Sequence, residues 1–434
     1  MNNQTTFYHV LANNLLAGIT NNLVWFALTF WVYIETESVL ATSWIAGTFA
    51  IAGMFGGFVF GPIVDRERKK TALLQSSIMS LVAYCIGAAI YFTHSADAWQ
   101  EPFSPVLWIL IVVLMLGVVA NNLRMIAQST IVTMLFAENR DKANGLVGAS
   151  MGLSFAVTSV FSGLIIGFFG MGTAIIVAIS ATLLALLHLA FISLPEKEIV
   201  HLEDKPKRID IKGSYLLAAV IPGLIGIIMF NTFNNFLGGV FMALMDPYGL
   251  SLVSVQAWGI MWGVVSLASI GGSIYVSMRG VGAHPMRLIM ILNMVMWGVC
   301  LIFPLQASVP LLLVGMLTWM IFFPVIEAAE QTVMQSAVPF EQQGRVFGFA
   351  QSIESMATPI TTFLIGPIAA FVFIPFMTTG AGVDLIGDWF GTGANRGMAL
   401  VFILAGLLGM IATLLAWGSH SYHLLSTHYT TSKK

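Results

Sequence analysis

The chain has 434 residues, of which 58% are apolar and only 9% are Asp, Glu, Lys or Arg. Ordinary soluble domains are about 45–50% apolar and about 25% charged, so this composition excludes a water-soluble globule. The 18 basic and 20 acidic residues give a net charge of -2, which leaves no basic surface for nucleic acid.

Long apolar runs dominate the sequence. A helix needs about 20 apolar residues to cross the roughly 30 Å hydrocarbon layer of a bilayer. Twelve such runs occur, and they are continuous rather than alternating, which favours helices that satisfy their own backbone hydrogen bonds. In chain order the predicted spans are 8–34, 43–64, 71–92, 106–136, 144–168, 172–193, 214–245, 254–277, 285–305, 310–337, 346–376 and 396–418.

The basic residues predict the orientation of these spans. Sixteen of the eighteen Lys and Arg residues follow even-numbered runs or end the chain, and only Arg124 and Arg396 do not. Cytoplasmic loops are enriched in Lys and Arg, so both termini are predicted to be cytoplasmic, in a multi-pass protein of the inner or plasma membrane. The predicted outer loops carry Glu35, Glu37, Asp97, Glu101, Asp384 and Asp388.

The longest polar stretch divides the runs into six and six. We predict four segments: a six-helix bundle over 1–195, a cytoplasmic linker over 196–213, a second six-helix bundle over 214–418 and a cytoplasmic tail over 419–434. The tail carries three His residues, which a frayed polar terminus explains without a metal: His420, His423 and His428.

Short matches between the two halves indicate a duplication. Trp44 and Gly57 match Trp258 and Gly271 at a separation of 214. A second set matches at a separation of 203: Glu138, Lys142 and Gly145 with Glu341, Arg345 and Gly348. Parallel six-helix halves are the architecture of an alternating-access transporter. The expected fold is therefore an all-α membrane protein with 12 transmembrane helices in two pseudo-symmetric six-helix bundles.

Motifs for enzymatic chemistry are absent from the sequence. It contains no Gly-x-x-x-x-Gly-Lys-Ser/Thr loop, no nucleophile elbow and no His-Glu-x-x-His helix. We therefore expect no enzyme activity, no cofactor, no metal and no ATP-driven step. The expected partners are a small-molecule substrate, the lipid bilayer and a coupling proton, and the expected state is a monomer.

The segment between runs two and three is the most specific motif. It reads Gly61-Pro62-Ile63-Val64-Asp65-Arg66-Glu67-Arg68-Lys69-Lys70 and resembles the Gly-x-x-x-Asp-Arg-x-Gly-Arg-Arg signature of the major facilitator superfamily. Arg68 stands where that family usually has Gly. A carboxylate here can accept hydrogen bonds from a helix N-terminus, and an Arg can pair with a carboxylate or carbonyl. A cytoplasmic gate is therefore predicted at Gly61, Asp65, Arg66, Lys69 and Lys70; a positive-inside loop without a gating role is the alternative.

Two further segments resemble one branch of that superfamily. The stretch 38–43 and the loop 138–145 look like the macrolide and multidrug efflux branch, although run five lacks the Pro of the Gly-Pro motif that many drug-exporting antiporters carry. The resemblance implies proton-coupled export of amphipathic drugs or related small molecules. A dedicated carrier for a siderophore, lipid or metabolite stays open, as does a non-transporting receptor on a carrier scaffold.

Charged residues inside predicted spans are candidates for coupling, because each costs about 2.5–3.5 kcal/mol on insertion scales. At the repeat separation of 203, Arg124 and Gln128 correspond to Glu327 and Gln331, and residues four apart share a helix face. The Arg124 region also resembles the superfamily's fourth-helix Arg motif, which is associated with proton-coupled transport. The predicted coupling or cavity residues are Arg124, Gln128, Glu327, Glu330 and Gln331.

We expect at least one of Glu327 and Glu330 to exchange a proton or to meet a cationic substrate. Burial favours the neutral form of a carboxyl group and a nearby Arg favours the charged form, so opening of the cavity can change protonation. A purely structural pair is the alternative, and Glu354 in run eleven is a weaker candidate.

Polar residues in runs one and seven lie on helices that line the cavity in this superfamily. They are the candidate substrate contacts, although hydrogen bonds between helices explain them equally well. The residues are Asn21, Asn22, Trp25, Asn231, Asn234 and Asn235.

Overall fold

The structure is a computed structural model that describes residues 3–66, 68–135, 140–194, 211–338 and 343–432. For some of these residues it describes the backbone only, notably 52–59, 61–66, 132–135, 140–145, 343–345 and 428–432. The described residues form helices and connecting turns, with no β-strand among them.

Five helices correspond to the first six predicted spans. They are α1 (Asn3–Thr36), α2 (Val39–Arg66), α3 (Lys69–Thr93), α4 (Pro105–Leu135) and α5 (Arg140–Phe191). Helix α5 contains runs five and six, and the two parts meet at Gly170, where φ is 76° and ψ is 177°. A positive φ of this size is accessible to Gly without steric cost. A single residue therefore separates the two predicted spans.

Ten helices follow in the second part of the chain. They are α6 (Ile211–Val220), α7 (Leu224–Leu250), α8 (Val255–Arg279), α9 (Pro285–Ile302), α10 (Val309–Ala337), α11 (Gln343–Ile368), α12 (Ile374–Thr378), α13 (Ala381–Phe390), α14 (Ala394–Trp417) and α15 (His420–Ser432). A π-helical turn, Ala369–Phe373, joins α11 to α12. Ten helical segments of the described chain are long and apolar enough to cross a membrane.

Four of these helices were not predicted as separate elements, and one of them, α12, begins within run eleven after the π-helical turn. Helix α6 is cut from run seven at Gly223, where φ is 82°. Helix α13 lies in a predicted outer loop, and α15 occupies the tail that we expected to be frayed. The tail forms a helix because it packs against the bundle: Leu425 of α15 is 1% exposed and belongs to an apolar cluster with residues of α7, α9, α10 and α11.

The chain divides into two compact units. The first unit comprises Met1–Lys205 and Val253–Val264, and the second comprises Pro206–Leu252 and Val265–Lys434. The start of α8 therefore belongs to the first unit. There Gly259 of α8 lies so close to Gly163 of α5 that a Cβ added at Gly163 would be 3.0 Å from the Gly259 Cα. Small residues permit such close helix packing in membranes.

In the first unit, hydroxyl groups join α5 to α1. Thr158 Oγ1 donates to the Ile19 carbonyl at 3.4 Å, and Ser162 Oγ donates to the Leu23 carbonyl at 3.4 Å. The donors are four residues apart and so are the acceptors, so the contact continues along one face of each helix.

In the second unit, the same pattern joins α11 to α7. Thr358 Oγ1 donates to the Asn235 carbonyl at 3.1 Å, and Thr362 Oγ1 donates to the Gly239 carbonyl at 3.3 Å. Donors and acceptors are again four residues apart. Two bundles derived from one duplicated segment are expected to share such a contact.

The position of Arg396 explains one exception to the distribution of basic residues. Its side chain is 3% exposed, its Nη2 donates to the Leu305 carbonyl at 2.9 Å, and its guanidinium lies 3.9 Å from the ring centroid of Phe390. This Arg ties the start of α14 to the turn before α10 and to the end of α13. It is held by packing and hydrogen bonding rather than by a cytoplasmic surface.

Packing of α14 against α9 gives a first prediction. Gly409 leaves room for the indole of Trp297, whose side chain is 1% exposed, and a Cβ at Gly409 would overlap that ring. We expect Gly409→Ala to lower the free energy of unfolding by about 1–3 kcal/mol, the usual cost of overpacking. The measurement is thermal unfolding of the purified protein in detergent.

The matched control is Gly238→Ala in α7, where an added Cβ meets no atom within 4 Å. This change is expected to leave stability unchanged or to raise it by up to about 1 kcal/mol, because Ala is the better helix former. Equal destabilisation by the two changes would contradict the packing account of Gly409.

Candidate functional site

A polar cavity of about 350 Å³ lies inside the first unit, between α1, α2, α4 and α5. One part of its wall is apolar and includes Phe49, Met125 and Phe155. The other part is formed mainly by carboxamide groups. The polar lining residues are Asn14, Asn21, Asn22, Asn121, Asn122, Arg124, Gln128, Ser150 and Ser154.

Arg124 lies at the wall of this cavity and is 2% exposed. Its Nη1 donates to the side-chain oxygens of Asn13 at 2.7 Å and Asn14 at 2.6 Å, both in α1. Its Nη2 donates to the Ser77 hydroxyl and to the Leu73 carbonyl, both in α3. A buried charge is costly unless hydrogen bonds satisfy it. The guanidinium of Arg124 therefore joins α4 to α1 and α3.

The bond to Arg124 also determines the orientation of Asn13. Because a guanidinium can only donate, the oxygen of Asn13 must face it and the amide nitrogen must face away. That nitrogen donates to the Ala185 carbonyl at 2.7 Å and lies 3.3 Å from Nδ1 of His188. Nδ1 of His188 is therefore the acceptor, which places the ring proton on Nε2. The ring of His188 in turn lies 5.7 Å from the ring of His9, so a polar chain runs from Arg124 to an exposed residue.

Three buried polar atoms next to this network have no hydrogen-bond partner. They are Asn14 Nδ2, Asn21 Oδ1 and Trp25 Nε1. Asn14 and Asn21 are each 7% exposed and line the cavity, and Trp25 stacks on Phe49 of its wall with ring centroids 4.8 Å apart. A buried unpaired polar group costs about 1–3 kcal/mol, so a ligand that satisfies these atoms would gain that free energy.

The cavity brings together four of the residues singled out from sequence: Asn21, Asn22, Arg124 and Gln128. Asn14, Asn121 and Asn122 were missed. The sequence does contain a pattern that could have identified them: Asn residues occur as adjacent pairs within predicted spans, at 13–14, 21–22 and 121–122. Both members of the second and third pairs line the cavity, whereas in the first pair only Asn14 does.

The second unit contains a cluster of acidic side chains. Glu327 and Glu330 of α10 interact with each other and with Glu354 of α11, and Asn231 of α7 lies next to Glu330 and Glu354. Asn231 is 8% exposed, yet its Nδ2 makes no hydrogen bond of normal geometry. Glu327 is exposed, whereas Glu330 and Glu354 are half-buried. Glu354, the weaker candidate from sequence, is thus part of the same cluster.

Helices α7 and α10 contain no Lys or Arg, and Arg345 in α11 lies nine residues before Glu354. The sequence contains neither Lys nor Arg in 213–278, 288–344 or 346–395. Like charges in a low-dielectric setting repel one another strongly. The acidic cluster therefore has no basic partner on α7 or α10.

The other predicted residues have different surroundings. Asn234 Oδ1 accepts from Trp297 Nε1 at 2.8 Å, and its Nδ2 donates to the Phe230 carbonyl at 3.0 Å, so its amide joins α7 to α9. Asn235 accepts at its backbone carbonyl from Thr358, and the side chain of Gln331 is exposed.

The predicted cytoplasmic gate lies largely outside the described residues. Helix α2 ends at Arg66, but the side chains of Gly61, Asp65 and Arg66 are not described, nor is Glu67. Lys69 begins α3, and the Nζ of Lys70 donates to the Ala190 carbonyl at 3.0 Å, which ties the start of α3 to the end of α5.

The fold and the site together define a class of protein. Multiple apolar spans, an internal polar cavity and ionisable groups within the spans are features of membrane transporters. Residues 10–362 match the family model of the Major Facilitator Superfamily. The chain belongs to this superfamily and has its twelve-helix fold of two pseudo-symmetric bundles.

Solved structures show the same fold at low sequence identity. The nucleoside transporter NupG superposes with a TM-score of 0.67 at 11% identity, covering 95% of this chain and 99% of that one. A bacterial homologue of the human lysosomal transporter Spinster gives 0.66 at 13% identity, covering 98% of each chain. A D-xylose–proton symporter gives 0.67 at 12% identity, with coverages of 93% and 97%. No curated protein matches the sequence.

The Arg124 network gives a second prediction. Ser77 accepts a hydrogen bond from this buried cation, whereas Ser76, its neighbour in α3, donates to the neutral Ala120 carbonyl at 2.8 Å. Hydrogen bonds to charged groups contribute about 1.5–3 kcal/mol and neutral ones about 0.5–1.5 kcal/mol. We expect Ser77→Ala to destabilise the purified protein more than Ser76→Ala does in thermal or denaturant unfolding. A larger effect of Ser76→Ala would contradict the assigned role of Ser77.

Proposed function

We propose that this protein is a proton-coupled exporter of amphipathic small molecules that works by alternating access. It acts as a monomer in the inner or plasma membrane, with both termini cytoplasmic and a linker over 196–213 between bundles 1–195 and 214–418. The resemblance of 38–43 and 138–145 to the macrolide and multidrug efflux branch supports export. The observation that carries the coupling is the acidic cluster.

Proton binding follows from the chemistry of that cluster. Glu327, Glu330 and Glu354 interact with one another, and α7 and α10 contain no Lys or Arg as a partner. Three neighbouring carboxylates cannot all stay charged in an apolar setting without large repulsion, so a shared proton relieves it. Such a proton is released when water reaches the cluster and is taken up when the cluster is enclosed. This exchange would link transport to a proton gradient.

Apolar surfaces beside the polar groups support an amphipathic substrate. In the first unit the cavity is partly lined by Phe49, Met125 and Phe155. In the second unit a recess of about 370 Å³ beside α7 and α11 is formed almost entirely by apolar residues: Met229, Thr232, Phe233, Phe236, Ile353, Met356, Ala357 and Ile360. Methionine and aromatic side chains adapt to apolar ligands of varied shape.

A carrier for one dedicated solute is the second candidate. The specific observation in its favour is the carboxamide lining of the cavity, because many directed hydrogen-bonding groups discriminate between similar ligands. Uptake of chemically unrelated amphipathic compounds into inverted vesicles would favour the drug exporter. Transport of one compound alone would favour the dedicated carrier.

The coupling role predicts the behaviour of two variants. Glu330→Gln and Glu354→Gln remove a titratable group while keeping its size. We expect each to lower pH-gradient-driven transport in everted vesicles more than about tenfold. Substrate counterflow without a gradient should continue, because the carrier still changes conformation.

Asp384→Asn is the matched control, since Asp384 is an exposed acid in α13, outside the cluster. It should transport as the natural protein does. Full gradient-driven transport by both Glu variants would contradict the coupling role. Ligand binding without any flux in the natural protein would indicate a receptor instead.

A further inference from the structure

The buried charge at the cavity of the first unit is positive, which is the opposite of what a site for cationic drugs needs. Arg124 is buried at the cavity wall, and its four described hydrogen-bond acceptors are neutral oxygens. None of the described residues that line the cavity is acidic. The sequence of this unit also places no Asp or Glu in 1–34, 38–64, 68–96, 102–137 or 142–195.

A buried cation without an anion is unfavourable, and hydrogen bonds to neutral groups offset only part of the cost. The cavity therefore has a positive potential that attracts a negative group and repels a positive one. The low dielectric of the surrounding apolar helices strengthens both effects.

Asn14 adds a directed donor to this potential. Its oxygen is bonded to Arg124, so its amide nitrogen points away from the guanidinium, and that nitrogen has no partner although the side chain is 93% buried. Arg124 and Asn14 both line the cavity, so a carboxylate or phosphate oxygen that accepts from Asn14 is also attracted by the charge of the guanidinium. The unpaired oxygen of Asn21, also at the cavity wall, needs a donor such as a ligand hydroxyl or amide N–H.

We propose that this cavity binds the negatively charged group of an amphipathic organic anion, with Arg124 as its counter-charge and Asn14 as its hydrogen-bond donor. The apolar body of the ligand lies against Phe49, Met125 and Phe155. This inference rests on the proposed function, since it specifies the substrate class of the same transporter: carboxylates or phosphates with an apolar body, rather than hydrophobic cations.

Equilibrium binding to the full-length protein in detergent tests the proposal without any proton gradient. The probes are fluorescein and rhodamine 123, two xanthene dyes of similar size that are anionic and cationic, respectively, at mildly alkaline pH. Fluorescence polarisation is expected to show that fluorescein binds at least about tenfold more tightly. Equal affinities, tighter binding of rhodamine 123, or no binding of either dye would overturn the proposal.

Asn14→Asp gives a sharper test of the charge. The new carboxylate keeps an oxygen on Arg124, and because the replaced amide nitrogen has no partner, no hydrogen bond is lost. It neutralises the cavity, so fluorescein affinity should fall at least about tenfold and the preference for the anion should disappear. An affinity within about twofold of the natural protein would contradict the role of Arg124.

Asn14→Ala is the matched control, because it removes the donor but leaves the positive charge. It should weaken fluorescein binding while preserving the preference for the anion over the cation. Size-exclusion profiles establish whether each variant is folded, and the comparison of the two dyes on the natural protein needs no variant. Anion-selective binding without gradient-driven transport would refute the proposed function and leave this inference intact.

Discussion

The arrangement of this protein depends on how charged groups are accommodated in apolar helices. A charge within a membrane span must find hydrogen-bond partners, an opposite charge, a proton or a ligand. Arg124 has hydrogen-bond partners: its guanidinium donates to Asn13 and Asn14 of α1 and to Ser77 and Leu73 of α3. This requirement explains why three helices of the first unit meet at one residue. It also explains why Asn13 and Asn14 occur within a membrane-spanning helix.

In the second unit the charged groups are carboxylates, and hydrogen bonds satisfy them less completely. Its acidic cluster includes Glu330 and Glu354, and Oε1 of Glu354 is buried without a hydrogen-bond partner. Hydrogen bonds therefore do not saturate these carboxylates, and a proton is the remaining way to reduce the repulsion. The charges at the two sites are thus of opposite sign, positive around Arg124 and negative around Glu330. We connect the positive site to an organic anion and the negative site to a proton, and these are the two ligands that a coupled transporter needs.

Much of this fold could be predicted from sequence, because apolar runs of membrane-spanning length leave few alternatives to helices. The features that the sequence did not predict depend on backbone geometry and tertiary contacts. Runs five and six are separated only by the non-helical backbone angles of Gly170. Helix α15 forms because Leu425 packs into an apolar core, which the local sequence does not indicate. In the site, residue type identified Arg124 as a candidate, but only the fold shows that its partners are neutral oxygens. Asn234 was predicted to contact substrate, but its amide oxygen accepts a hydrogen bond from Trp297 and joins two helices instead.

The central claim is that the acidic cluster holds an exchangeable proton. Infrared difference spectroscopy of the purified protein during a pH titration tests it most directly, through the C=O stretching band of a protonated carboxyl group. The account predicts a band that disappears as the pH rises and that is missing from a variant with both Glu330→Gln and Glu354→Gln. A titrating carboxyl band that is identical in the natural protein and in this double variant would contradict it.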